Sequence, residues 1–250
     1  MIAGTPRIVG VAVVAMAAWL LNAGPSLADP ASATNLNGLT GMVTFPDAYV
    51  IGAHGARAGF LYRDDDATGT TDWMSLITVG AGDRAELGMA LNVTAGSGEF
   101  ATFSGKLAVL LPDDVDHDLA ASAWYLFEDR RHQNRQRAGI TLTQPIQAGH
   151  LDAETPRVIR LNAGAVYGWV EAGALSPSKA AEFDQNLEFF AGIEVPIIKH
   201  WSAVLDYTPE RTGLQGESWS EMLRYDTGDY VLVAGYQSRE DPFFGVQTRM

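Results

Sequence analysis

The sequence predicts an antiparallel up-and-down transmembrane β-barrel of about twelve strands, with a soluble β-sandwich as the competing fold. Three observations carry that expectation. An export peptide opens the chain, period-two segments recur through the rest of it, and long and short connections alternate between them.

The export peptide is read from Arg7, the apolar run from Ile8 to Leu21, and Gly24-Pro25-Ser26-Leu27-Ala28. A charged start, an apolar middle and a small-x-small ending mark a cleaved signal, with removal expected after Ala28. The apolar run is shorter than the roughly 20 residues of a spanning helix, and no later segment is long and apolar enough to span as one. The mature chain is therefore expected outside the cytoplasm, with strands as its only means of crossing a membrane. It contains no cysteine, so packing or lipid must hold it in place of disulfides. Its formal charge is −13, and removing residues 1–28 takes away Arg7 and no acid. An acidic chain argues against nucleic acid and against a basic patch for anionic lipid.

Residues 29–53 read as a looped leader. The Ala-, Ser- and Asn-containing start gives way to Asn37-Gly38-Leu39-Thr40-Gly41-Met42, then Pro46-Asp47-Ala48, Gly52 and Gly55. Glycines permit turns and Pro46 bars a central ladder position, so this stretch could plug or brace the start of a sheet. The barrel itself is placed at 54–250, in one domain.

Strand-like segments follow at 54–62, 72–79, 84–93, 102–111, 118–127, 137–144, 158–170, 186–195, 201–207, 219–225, 229–236 and 243–250. The clearest pair lies between Ala85 and Leu111. Leu87, Met89, Leu91 and Val93 alternate with Glu86, Gly88, Ala90 and Asn92, while Phe103, Leu107, Val109 and Leu111 alternate with Thr102, Ser104, Lys106 and Ala108. A period of two gives each strand one apolar and one polar or small face. In a sandwich the apolar face is the core, whereas in a membrane barrel it meets lipid. Connections are expected to be long after odd-numbered strands and mostly short after even ones, as two rims facing different compartments would require. The stretch 145–157 breaks the rule by being long, and 237–242 by being short.

The faces sort the remaining residues. Outward candidates include Phe60, Tyr62, Trp73, Ile77, Val79, Tyr125, Ile140, Tyr167, Trp169, Leu187, Phe189, Trp201 and Tyr236, with rings concentrated near segment ends as interfacial belts. Arg57, Glu86, Lys106, Arg160, Glu188, Glu194, Asp206 and Arg224 fall on the opposite face. These are the candidate lumen and selectivity residues.

No catalytic constellation emerges. His54, His117, His132, His150 and His200 fall in loops or at strand ends without metal-ligand spacing. Gly216-Glu217-Ser218-Trp219-Ser220 lacks the closing glycine of a nucleophile elbow, and Gly80-Ala81-Gly82 leads into a strand where a dinucleotide fingerprint needs a helix. Asp114, Asp116 and Asp118 are spaced like the start of a calcium loop, but Leu119 and Tyr125 stand where glycine and glutamate belong. A solvated acidic loop is expected there, as at Asp64-Asp65-Asp66. Ser176 to Phe183 suits a short helix inside a loop. Arg130, Arg131, Arg135 and Arg137 form a basic cluster assigned to an external loop, where it could touch lipopolysaccharide phosphate or acidic sugar. No cofactor or metal is expected.

The Asn37–Met42 and Pro46–Ala48 stretch, leading through Gly55 into a strand, resembles the opening of outer-membrane β-barrels of the YjbH-like group and of related porin-like barrels. The C-terminal Phe243–Met250 is similar to barrel assembly signals in its glycine and apolar last residue, with Met250 in place of the usual aromatic. The resemblance implies an outer-membrane location and an association with exopolysaccharide production. The expected function is a non-catalytic passive channel or an accessory to exopolysaccharide secretion. Its partners would be outer-membrane lipid, lipopolysaccharide and polysaccharide-secretion components. A secreted carbohydrate-binding sandwich and an outer-membrane lipid or glycan hydrolase are the alternatives.

Overall fold

The computed structural model describes residues 35, 38–53, 55–65, 70–94, 98–111, 113–130, 133–152, 155–172, 186–209, 218–237 and 241–250. The export peptide, the Ser176–Phe183 helix, Arg131, His54 and His132 lie outside them. Twelve strands form one closed sheet: β1 (Ala56–Asp65), β2 (Thr70–Gly80), β3 (Ala85–Thr94), β4 (Gly98–Leu110), β5 (Ala120–Arg130), β6 (Gln133–His150), β7 (Pro156–Ala172), β8 (Asn186–Ile198), β9 (Trp201–Thr208), β10 (Ser218–Asp226), β11 (Tyr230–Gln237) and β12 (Asp241–Arg249). Each pairs antiparallel with its sequence neighbours, and β1 meets β12 with Phe60 opposite Val246. Closure removes both sheet edges, so every strand has a partner on each side.

Both termini of the sheet lie at one rim, with the connections 81–84, 111–119, 151–155, 199–200 and 227–229; the other rim carries 66–69, 95–97, 131–132, 173–185, 209–217 and 238–240. The alternation of lengths is weaker than the sequence suggests, because ladders continue past the end of the apolar pattern. The stretch 145–157 shows why. β6 runs through Pro145, in register with Arg160, to His150, which leaves only 151–155 between it and β7.

Alternation sets the two surfaces. Leu87 (54%), Val109 (61%) and Phe189 (60%) project outward and are exposed, so they do not meet in a core. Ring pairs band this wall. Tyr62–Trp73, Tyr62–Phe244, Tyr167–Trp169 and Tyr207–Trp219 circle the rim of the long connections, and Trp201–Tyr225 marks the rim of the termini. Val79 and Met89 share the outward register but are covered, each flanked in register by larger neighbours such as Leu87 and Phe103. Glu221, between Trp219 and Leu223, is a carboxylate on this otherwise apolar stripe of β10.

The buried core lies inside the barrel. Leu61, Leu76, Trp124, Val166, Phe190, Val204, Met222, Val231 and Phe243 point inward and pack with Leu39, Met42, Val43 and Phe45 of the segment preceding β1. A wet, ion-paired interior is therefore only half of the picture. A dry apolar layer crosses the lumen as well.

Candidate functional site

The segment 38–51 enters the lumen as a hairpin. Gly41 bridges Pro46, the Met42 amide donates to the Phe45 carbonyl at 3.0 Å, and the Asp47 amide donates to the Thr40 carbonyl at 3.3 Å. Pro46 leaves the bridge short of an N–H, which suits a two-residue contact better than a longer ladder. Two wall glycines make the seat. A side chain at Gly88 would strike the Gly38 carbonyl, and one at Gly192 would strike the Met42 sulfur.

Glu86 and Lys106 hold the hairpin's base. They face each other in register across β3 and β4, 3.1 Å apart, with both side chains 0% exposed. The Glu86 carboxylate accepts the Thr40 amide at 2.8 Å and the Ile51 amide at 2.9 Å. Lys106 Nζ donates to the Thr40 carbonyl at 2.9 Å and lies 3.2 Å from Asp47 Oδ1. The one cation lies between the two acids while Glu86 and Lys106 pin three backbone groups, which offsets most of the cost of burying them; Asp47 Oδ2 is buried without a hydrogen-bond partner.

Wall hydroxyls hold the rest. Thr78 donates to the Gly38 carbonyl (2.8 Å), Ser122 to that of Asp47 (3.2 Å) and Thr141 to that of Pro46 (3.1 Å), while Thr143 accepts the Ala48 amide (2.9 Å). At the tip, Asp206 Oδ2 accepts the Thr44 amide at 2.7 Å and the Thr44 and Ser220 hydroxyls lie 3.2 Å apart. Phe45 stacks on Phe190 with centroids 4.2 Å apart and planes 3° from parallel.

A second charged cluster sits on the wall. Glu194 of β8 pairs with Arg224 of β10 and lies 3.5 Å from Arg160 of β7, while Arg224 also donates to Ser202 at 3.1 Å. The Arg160 guanidinium lies 5.5 Å from the Tyr49 ring centroid and 3.9 Å from Asp116. Tyr49 in turn donates to the Val115 carbonyl at 3.0 Å. The connection 111–119 therefore closes over the hairpin's base. Within it, Asp114 accepts the Asp116 amide and contacts His117 at 2.8 Å, and Asp118 accepts the Asp114 amide. The Asp116 backbone N–H holds the Asp114 carboxyl below its usual range, and the Asp114 hydrogen bond pushes the His117 imidazole up. These carboxylates are spent on their own loop.

All eight candidate lumen residues occupy inward register positions, but not as one array. Glu86 and Lys106 of β3 and β4 seat the hairpin's base, and Asp206 of β9 seats its tip; Arg160, Glu194 and Arg224 gather on β7, β8 and β10, the same side of the barrel as Asp206. Arg57 is buried near the termini, and Glu188 lies toward the other rim in β8. The basic cluster is placed differently from the expected external loop. Arg135 and Arg137 belong to β6 and share the inward register of Thr141. Asp47, Thr40 and Thr44 are the groups sequence reasoning missed, because a stretch without helix or strand period gives no face to assign.

No family model matches the chain, and no curated protein matches it in sequence. Among solved structures it is similar to the KdgM porin, at 10% identity and a TM-score of 0.55, covering 77% of this chain and 98% of that one. It is also similar to the NanC porin, at 12% identity and a TM-score of 0.53, covering 78% and 100%. What the chain shares with both is the fold of a porin-type closed β-barrel.

Proposed function

We propose that this chain is a non-catalytic outer-membrane channel. The observation that carries the reading is a closed barrel with an apolar outer wall between ring belts and all its candidate charges turned inward. Such a wall suits lipid, because closure gives every strand a partner on each side and pairs its backbone within the sheet. The rim of the termini would face the periplasm and the rim of 173–185 and 209–217 the exterior. The lumen charges would set selectivity where solute passes them, and membrane lipid and lipopolysaccharide would surround the wall.

An accessory role in exopolysaccharide secretion is the finer reading. It rests on the resemblance of the Asn37–Met42 and Pro46–Ala48 stretch to the opening of YjbH-like barrels, and residues 38–48 of that stretch build most of the lumen hairpin. Loss of polysaccharide export on deleting the gene, restored by the intact chain, would support it.

Two measurements test the channel. The mature protein should fractionate with outer membranes and shift in gel mobility on heating. In planar bilayers it should show unitary conductance steps. Soluble behaviour without detergent would overturn the membrane reading, and a folded barrel that never conducts in any form would overturn the channel. Ile140→Arg, on the outer wall, should cost about 2–4 kcal/mol of barrel stability.

A further inference from the structure

We propose that the 38–51 hairpin is a displaceable gate, and that Glu86 and Lys106 form the catch that holds it shut and stays neutralised when it leaves. The inference rests on the channel reading and names the regulation of the same lumen.

The hairpin's fastening differs in kind from that of the strands around it. Among the described residues, the backbone-to-backbone bonds of 38–51 are internal to the segment or go to Asn35. Its bonds to the wall run through side chains: Glu86, Lys106, Thr78, Ser122, Thr141, Thr143, Asp206 and Ser220. Water can replace each of these partners as the hairpin withdraws, so release breaks no sheet ladder. Removing any of the twelve strands would break two.

The charges fit both states. With the hairpin seated, Glu86 and Lys106 serve Thr40, Ile51 and Asp47. Their register across β3 and β4 does not depend on the hairpin, so with it gone they remain facing partners, and rehydration removes the penalty of burying them. Asp47 leaves with the hairpin and regains water. The opposing term is the tip. Phe45 on Phe190, with Met42 and Val43 in the apolar layer, favours the seated state because withdrawal wets both surfaces. Polar groups that water can serve in the open state, Asp47 Oδ2 among them, together with an apolar tip covered only in the closed one, make a closed resting position with a reachable open one. The tether is short and local. Only residues 52–55 separate the hairpin from β1, and this end is anchored: the Gly80 amide of β2 donates to the Gly55 carbonyl at 2.8 Å, and a side chain at Gly80 would strike the Gly52 carbonyl.

A disulfide tests the movement, since the chain carries no cysteine of its own. The Thr44 and Ser220 hydroxyls, 3.2 Å apart, mark a tip-to-wall pair close enough to bridge. In planar bilayers the reduced T44C/S220C variant should show openings like the wild type. Oxidation should abolish them and dithiothreitol should restore them. Deleting 38–51 should raise open probability at least tenfold, and E86Q/K106Q should raise it with the hairpin intact. Equal conductance of oxidised and reduced protein overturns the gate while leaving the channel standing. A silent wild type beside a conducting deletion shows a fixed plug and overturns displacement. If the deletion assembles, by its heat-dependent gel shift, yet never conducts, the channel falls and the gate with it. Should the deletion not assemble, the oxidised and reduced pair still decides.

Discussion

Two clusters of buried charge occupy the same lumen, and they differ in what lies over them. Glu86, Lys106 and Asp47 are sealed, and their ligands are the backbone of the hairpin. Glu194, Arg160 and Arg224 join wall strands to one another, and the Arg160 side chain keeps 17% of its surface exposed beside Asp116. In both, a glutamate on the inward face of one strand pairs with a basic side chain on the inward face of another. The segment above decides whether an ion pair seats a plug or braces a wall.

The comparison makes graded predictions. The largest effect belongs to Lys106→Ala, which leaves two carboxylates sealed without a cation. It should cost about 3–5 kcal/mol, whereas Arg160→Ala should cost about 1–2 kcal/mol because Glu194 keeps Arg224 as a partner. Urea unfolding in detergent micelles measures both, and equal losses would erase the distinction. Next comes the tip. Phe45→Ala removes the ring stacked on Phe190 and should cost about 3 kcal/mol, with no counterpart on the wall cluster. Thr143→Val removes the acceptor of the Ala48 amide and should cost about 1–2 kcal/mol.

The smallest effect lies in the loop over the hairpin's base. His117 is raised by its Asp114 hydrogen bond, so its contribution is complete below the ordinary histidine value and fades as pH rises through the higher folded one. An NMR titration should place His117 above a model histidine, and Asp114→Asn should return it. No change on that substitution would detach the loop's charge pair from this account.

The outer wall was legible in the sequence because one alternating pattern reports one outward-facing apolar surface. Leu87, Val109 and Phe189 follow it directly. The inner layer was harder to read. Strands such as β8 and β11 carry apolar residues on both parities, as Phe189-Phe190 and Val231-Leu232-Val233 show. That is the signature of a strand covered on both faces, and the covering segment is the hairpin. The hairpin reads in the sequence only as a looped leader that could plug or brace the sheet, with no contacts assigned, because Asn37 to Val50 mixes glycine, proline and single apolar residues with no period. Its structure comes from the cavity that receives it. Arg135 and Arg137 were misplaced for a related reason, since a polar run inside a barrel strand resembles a loop until the ladder is seen.

The central claim is an apolar wall facing lipid around a lumen that holds its own chain, and tryptophan position tests it most directly. Trp73, Trp169, Trp201 and Trp219 take outward positions, whereas Trp124 points inward and donates to Thr141 at 3.0 Å. In single-tryptophan proteins reconstituted with brominated lipid, Trp73 and Trp219 should be strongly quenched. Trp124 should resist both bromolipid and aqueous acrylamide. Quenching of Trp124 by bromolipid, with Trp219 unaffected, would contradict the account.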